Sequence, residues 1–311
     1  MLKFVVRRIL WTIPVLLLVI LMTFLMMRQI GGNPFRTTER AVPPAIQANL
    51  ERKFHVDQPW WKQYLYYTRG IFTLDFGPSL TLRNQSVNDI IKQRFPVSLH
   101  LGVLAMLWAL VVGIPLGIIA ALRPNSIWDY ITMSFVNVGY ALPNFLISTL
   151  LIYFFAVRLR DQTGLPTNGW ESWQYWILPA IALGHAPMTI FARITRGSML
   201  ETLQQDYIRT AKAKGLRWRR VVGVHVMRNS LIPVVTAAGP LLGFLITGSF
   251  IVETIFGIPG IGRYYVISVG ARDYSVVLGI TVLLAVIIIL CNMVVDILYG
   301  YLDPRIRDAR T

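Results

Sequence analysis

The sequence is poor in the residues that disulfide-stabilised proteins and metalloproteins need. Its single cysteine, Cys291, excludes an intramolecular disulfide and lies inside an apolar run, where a thiol serves as packing. The four histidines are scattered at positions 55, 100, 185 and 225, so no Cys/His metal-binding spacing occurs. Only 14% of the residues are charged, which is low for a soluble domain.

Motifs that would carry catalysis are also missing. The sequence contains no phosphate-binding loop, no H-E-x-x-H zinc motif and no G-x-S-x-G nucleophile motif. The glycines from Gly257 to Gly262 have the wrong spacing for a phosphate loop and predict a turn instead. We therefore predict that the chain is not an enzyme and has no catalytic residue, metal site or cofactor of its own.

The chain is instead rich in long apolar runs. It is 55% hydrophobic with a mean hydropathy of +0.55, which indicates an all-α polytopic membrane protein. Runs of about 20 apolar residues can cross a hydrocarbon layer of about 30 Å. Six such runs are predicted: Ile9–Met27, Val97–Leu122, Ile131–Val157, Trp176–Ala192, Ile232–Val252 and Val276–Leu302.

The distribution of positive charge predicts the orientation of these spans. With the N-terminus inside, the cytoplasmic segments hold 16 Lys and Arg residues and the two short outer loops hold 4. The segment 31–96 is long enough to escape the positive-inside rule. Both termini are thus predicted to be cytoplasmic. Because the net charge of +15 is explained by membrane orientation, we expect membrane lipid and not nucleic acid as a partner.

The same pattern predicts three regions. Residues 1–30 form a cytoplasmic N-terminal end and the first span, and residues 31–96 form an extracytoplasmic segment. Residues 97–311 form a core of five spans, which contains a basic cytoplasmic loop at 193–231. Within this loop, Arg193 to Arg228 carry nine Lys and Arg residues.

A few polar residues lie in or beside the apolar runs. Asn144, His185 and Glu253 are candidate pathway-lining residues, because polar groups within membrane proteins usually face an interior or a wet cavity. The alternative for His185 is a neutral histidine bonded to a backbone carbonyl. The pair Pro143–Asn144 is expected to break the third span, and Gly239 and Gly243 predict a close helix approach.

Several stretches carry a family resemblance that covers essentially the whole chain. Asp206–Gly215 (DYIRTAKAKG), followed by His225–Pro233, resembles the cytoplasmic loop of permease subunits in binding-protein-dependent ABC importers, above all the dipeptide/oligopeptide permease B branch. Arg209-Thr210-Ala211 departs from the general Glu-Ala-Ala opening of this loop. Further matching stretches are Asp57–Pro59 through Phe76–Gly77, Arg94–Pro96, Val252–Phe256, Pro259–Arg263, Arg272–Tyr274 and Asp296–Arg305.

The resemblance implies six transmembrane helices of the type I permease fold in a bacterial inner membrane. Such a subunit forms half of a pathway, with a homologous second permease, two ATPase domains that bind ATP and Mg, and an extracytoplasmic solute-binding protein as partners. The implied cargo is a di- or oligopeptide, or alternatively glutathione, a nickel complex or another small solute. The implied ATPase-coupling residues are Asp206, Tyr207, Arg209, Thr210, Ala211, Ala213 and Gly215.

A different transport mechanism is the main alternative. A stand-alone secondary transporter needs ion-coupling groups within its spans. Apart from His185, the middle of each predicted span has almost no ionisable residue, which argues against that alternative.

We predict that reporter fusions are cytoplasmic after Arg220 and extracytoplasmic after Arg83. The reason is the excess of basic residues in the predicted inner loops. Paired reporters that are active on opposite sides of the membrane measure this directly, and the reverse pattern at either site would contradict the predicted topology.

Overall fold

The computed structural model of the chain describes residues 2–30, 57–82 and 85–302, together with residues 52 and 55. These residues form helices joined by short loops, with no β-structure among them beyond an isolated bridge between Pro78 and Ser86. The helices are α1 Leu2–Ile30, α2 Trp60–Phe72, α3 Val87–Leu122, α4 Ile127–Ala141, α5 Asn144–Leu151, α6 Arg160–Thr163, α7 Gln174–Leu203, α8 Asp206–Ala213, α9 Trp218–Arg220, α10 Met227–Ser230, α11 Ile232–Ile246, α12 Phe250–Ile255, α13 Ile261–Gly270 and α14 Tyr274–Leu302. Two π-helices, Ile152–Arg158 and Val221–Val226, follow α5 and α9.

The number of apolar helices agrees with the six predicted spans. Helices α1, α3, α7 and α14 are long and apolar enough to cross a membrane on their own. Two bent pairs also qualify when each is counted as one span, namely 127–141 with 144–158 and 218–230 with 232–246. The predicted division at residues 30 and 96 concerns the sides of the membrane and stays a prediction, and much of the segment 31–96 lies outside the described residues.

Two helices extend well beyond their predicted apolar cores. Helix α3 begins at Val87 and not at Val97, and α7 continues past Ala192 to Leu203. The start of α3 is set by a cap: the Ser86 hydroxyl donates to Asp89 and accepts from the Asp89 backbone N–H at 3.1 Å. Hydropathy locates the part of a helix that lies in lipid, whereas capping and packing decide where the helix ends.

The third span is broken as predicted at Pro143. Helix α4 ends at Ala141, Leu142 adopts an extended conformation, and α5 begins at Asn144. The axis turns by 108° between the two halves. A proline disfavours the helical conformation of the residue before it and cannot donate a backbone hydrogen bond, so the helix stops one residue earlier.

The chain divides into two compact units, each with its own packing. The first comprises Met1–Ser98 and Pro259–Ile289, and the second comprises Leu99–Ile258 and Leu290–Thr311. In the first unit, Ile20 and Phe24 of α1 are buried with Leu278 and Val282 of α14, and Tyr64, Tyr67 and Ile71 of α2 pack against them.

A buried carboxylate joins the loop at residues 79–82 of the first unit to α14. Asp273 is fully buried just before the helix and accepts from the backbone N–H of Val276 at 3.2 Å. It also accepts from the Ser79 hydroxyl and from both the N–H and the hydroxyl of Thr81, at 3.1 and 2.9 Å. Residues 79–82 are thereby fixed to the start of α14.

In the second unit, two glycines of α3 allow its backbone to lie very close to the backbone of α7. A Cβ atom placed on Gly113 would lie 2.5 Å from the Met188 carbonyl, and one on Gly117 would lie 2.5 Å from the Ala192 carbonyl. Residue numbers rise together along both helices, so they run parallel. The second and fourth of six alternating spans must run parallel, as these two helices do.

Helix α11 makes a second close approach, which confirms the prediction at Gly239. An added Cβ there would overlap the side chain of Val295 and lie 3.3 Å from the carbonyl of Cys291. Small residues permit the two backbones to approach this closely. In a membrane, such close packing stabilises a helix pair, because an apolar side chain gains little free energy by exchanging lipid for a protein neighbour.

We predict that Gly117→Val lowers the free energy of unfolding in detergent by about 1–3 kcal/mol, because the new side chain must push apart α3 and α7. Gly197→Ala on α7 is the matched control, since nothing lies within 4 Å of its Cβ position. Denaturant titration followed by circular dichroism checks both. Equal stability of Gly117→Val and the unsubstituted chain would contradict this packing.

Candidate functional site

Helix α8 is a short basic helix that follows directly from the long helix α7. The chain leaves α7 at Leu203 and turns through Gln204 and Gln205, whose N–H groups bond to the carbonyls of Glu201 and Thr202 at 3.2 Å. Helix α8 then starts at Asp206. An acidic residue in the first turn suits the positive end of the helix dipole.

One face of α8 is buried against the ends of its neighbours. Ile208 is fully buried and Ala211 is 7% exposed. They pack in a cluster, the α8 anchor, with Ala121 of α3, Met199 of α7, and Val221 and Val226 of the π-helix. The anchor connects α8 to both α3 and α7.

Ala211 is one of the coupling residues that the resemblance implies, but its side chain is buried within this chain and does not face outward. Small residues at 211, 213 and 215 predict an accessible backbone, but Ala211 lies three residues after Ile208 and therefore shares its inward face. Its methyl group fills the α8 anchor. Ala213, two positions further on, is exposed.

The opposite face of α8 is open and polar. Asp206, Tyr207, Arg209 and Thr210 are all exposed. Arg209 approaches Asp206 at 3.7 Å, but both side chains are largely exposed, so this pair adds little stability. The Tyr207 hydroxyl accepts from Asn229 at 2.7 Å, which ties the first turn of α8 to α10.

Gly215 ends this helix in a left-handed conformation. Its φ is +73°, and its N–H donates to the carbonyl of Lys212 at 2.9 Å. The N–H of Leu216 donates to the carbonyl of Ala211 at 3.3 Å. These two bonds form a Schellman motif, in which glycine supplies the left-handed conformation at low cost. The chain then turns back, so that the Nζ of Lys212 lies over the ring of Trp218, 4.6 Å from the ring centroid.

The exposed side of this region is basic, and the small residue Ala213 is exposed beside the basic side chains. Among the described residues, no group of three His, Cys, Asp or Glu side chains could hold a metal ion. The basic residues are Arg209, Lys212, Lys214, Arg217, Arg219 and Arg220.

The three candidate pathway-lining residues lie on elements that pack together. Asn144 begins α5, His185 lies in α7, Glu253 lies in α12, and these three helices contact one another. Glu253 is fully buried, and Asn144 is half-buried. A lining role for these side chains stays a prediction.

His185 has the carbonyl contacts that its alternative role requires. The side chain is buried, its Nδ1 lies 2.7 Å from the carbonyl oxygen of Ala182, and its Nε2 lies 3.3 Å from that of Leu142. The second contact reaches the carbonyl that the break at Pro143 leaves without a helical partner.

Sequence reasoning missed a charged pair between α4 and α7. Asp129 accepts two hydrogen bonds from Arg196, at 2.8 Å from Nε and 2.7 Å from Nη2. Asp129 is 3% exposed. The available signal was an acidic residue at the start of one apolar run and an arginine just beyond the end of another.

Two family models together match nearly the whole length of the chain. The family model described as "Binding-protein-dependent transport system inner membrane component" matches residues 113–308. A second model, for the N-terminal part of such membrane components, matches residues 1–102.

Individual relatives agree with the family match. The chain is 46% identical to the dipeptide transport system permease protein DppB of Bacillus subtilis, over 99% of this chain and 98% of that protein. It is 45% identical to the oligopeptide transport system permease protein OppB of Haemophilus influenzae, over 99% of this chain and 100% of that protein.

Solved structures show the same fold. An inward-facing structure of the MetNI methionine ABC transporter matches with a TM-score of 0.55 and 18% identity, over 69% of this chain and 96% of that chain. An amino acid ABC transporter matches with a TM-score of 0.54 and 17% identity, over 68% and 94%. At this identity the match concerns the fold alone, and it is the predicted ABC importer permease fold.

We predict that Ala211→Leu lowers the free energy of unfolding by about 1–3 kcal/mol, because the α8 anchor has no room for the larger side chain. Ala213→Leu adds the same group on the exposed face and should change stability by less than about 0.5 kcal/mol. Thermal unfolding of the two purified variants tests the orientation of α8. Equal losses, or a larger loss for Ala213→Leu, would contradict it.

Proposed function

The chain belongs to the family of binding-protein-dependent transport inner membrane components and is a permease subunit, and from that premise we propose that it forms half of the solute pathway of an ATP-driven importer. A homologous second permease supplies the other half. Two ATPase subunits or domains bind ATP and Mg on the cytoplasmic side, and a solute-binding protein delivers cargo from outside. Long apolar helices, the family match and the absence of a phosphate-binding loop in the sequence support this division of labour.

The proposed cargo is a di- or oligopeptide. The support is the identity of 44–46% with permeases named for dipeptide and oligopeptide transport, over nearly the full length of both chains. Glutathione, a nickel complex or another small solute would fit the same architecture. Mass spectrometry of the ligand that co-purifies with the intact complex distinguishes these cargoes.

The proposed location is the bacterial inner membrane, with both termini in the cytoplasm. The charge distribution supports this orientation, because it places the basic surface around α8 on the side where ATP is available. In the same orientation, the segment 31–96 lies outside and is available to the solute-binding protein.

One observation carries the proposed coupling to ATP hydrolysis: α8 is anchored on one face and open on the other. Its inner face packs on α3 and α7 through the α8 anchor, while its outer face presents charged and small residues. A partner that moves α8 therefore moves the ends of two spans with it. Alternating access then follows as a rigid-body change between two helix packings.

We predict that Ala213→Trp lowers solute-stimulated ATP hydrolysis by at least about tenfold, which corresponds to about 1.4 kcal/mol of lost docking free energy. The bulky ring would hold the partner away from the exposed face of α8 without entering the α8 anchor. The measurement uses the complete complex, with both permeases, the ATPases and the binding protein, in proteoliposomes.

Lys214→Gln is the control, because loss of one exposed charge costs about 1 kcal/mol or less. The purified chain on its own should hydrolyse no ATP. Normal stimulation and normal ATPase co-purification in Ala213→Trp would overturn the proposed docking surface. ATP hydrolysis by the isolated chain would overturn the proposed division of labour.

A further inference from the structure

A row of polar contacts joins α4 to α7 along most of their shared length. From α7, His185 contacts the Leu142 carbonyl at 3.3 Å. The Thr189 hydroxyl donates to the Val136 carbonyl at 3.2 Å and also to the His185 carbonyl of its own helix at 3.1 Å. Arg193 donates to the Asn137 side chain at 2.8 Å, and Arg196 holds Asp129 with two bonds. We call this row the α4–α7 ladder.

The spacing of the ladder follows one face of α7. Residues 185, 189, 193 and 196 are separated by four, four and three positions, which is the period of a helix face. Their partners run in the opposite direction along the chain, from Leu142 just after α4, through Val136 and Asn137, to Asp129 in the first turn of α4, as two antiparallel helices require. Hydrogen bonds fix relative position more strictly than apolar contacts, since they depend on both distance and angle.

The strongest contact of the ladder is the Asp129–Arg196 pair at one of its ends. Arg196 and Asp129 form a fork-to-fork pair, the geometry in which an arginine is most directional. The backbone N–H of Asn125 also donates to Asp129, at 3.0 Å, so the loop before α4 is hydrogen-bonded to the same carboxylate as Arg196. Met199, one turn further along α7, lies in the α8 anchor.

The other end of the ladder, at His185, lies at the break between α4 and α5. There the ring of His185 contacts the carbonyl of Leu142, the last residue before Pro143. Helix α7 remains one continuous helix from Gln174 to Leu203 despite two internal prolines. It therefore connects the α8 anchor with the broken span through a single element.

We propose that Asp129, Arg196, Thr189 and His185 are positioning residues that make α4 and α7 move as one body and carry the displacement of α8 to the break at Pro143. This inference rests on the proposed function of α8. In this proposal the break is the hinge. On its α4 side the backbone is fixed to α7 by the polar contacts of the ladder, whereas on its far side α5 packs against both α7 and α12, near the buried Glu253.

The decisive measurement is the amount of solute transported per ATP hydrolysed by the assembled complex in proteoliposomes. Arg196→Met removes both hydrogen bonds to Asp129 and should lower this ratio by roughly two- to thirtyfold. Arg196→Lys, which keeps the charge but loses the two-bond geometry, should give an intermediate ratio. The pair acts as one contact, so Asp129→Asn combined with Arg196→Met should lose no more than Arg196→Met alone.

A milder variant keeps the proposal testable if loss of the pair impairs folding. Thr189→Val removes a hydroxyl from the middle of the ladder at nearly unchanged volume, and should also lower the ratio. Thr236→Val is its control, because that hydroxyl bonds only within its own helix, to the carbonyl of Ile232 at 3.0 Å.

The outcomes separate this proposal from the proposed function. If Arg196→Met and Thr189→Val assemble with ATPases and keep the ratio of the unsubstituted complex, the ladder is a static packing feature and the proposal is wrong. If the unsubstituted complex neither hydrolyses ATP nor transports solute, the proposed function itself fails. A lowered ratio with normal ATPase co-purification supports the ladder.

Discussion

In the hydrocarbon of a bilayer, a backbone N–H or C=O that finds no partner within the protein costs several kcal/mol, and this constraint underlies the architecture. It accounts for the all-helical described chain, and it makes the break at Pro143 demanding. A carbonyl beside such a break loses its usual helical donor. His185 places its imidazole between two backbone carbonyls, those of Ala182 and Leu142, and the second of these lies at the break. The lone histidine of this apolar helix therefore has polar backbone neighbours, while its pathway-lining role stays a prediction.

The sequence predicted those features that depend on one residue and its immediate neighbours. The stop at Pro143 and the close approach at Gly239 are confirmed. The six apolar runs agree with four long apolar helices and two bent pairs, when each pair is counted as one span. Each follows from hydropathy or from the conformational limits of proline and glycine. The family resemblance then supplied the permease fold, which the comparisons confirm.

Features that depend on partners distant in sequence could not be predicted in the same way. The inward direction of Ala211 is decided by Met199 and Val221, which close over one side of α8. The pairing of Asp129 with Arg196 joins residues 67 positions apart, and composition does not specify which acidic residue an arginine finds. The roles of Asn144 and Glu253 stay predictions, because burial describes their surroundings within one chain, whereas the proposed solute pathway is formed by two permeases.

The hydrogen bonds of residues 79–82 have a consequence for how this loop can move. Three donors from Ser79 and Thr81 converge on the carboxylate of Asp273, which also caps α14. A displacement of the loop that keeps these bonds must therefore displace the first turn of α14 as well. The loop and the start of the helix form one mechanical unit.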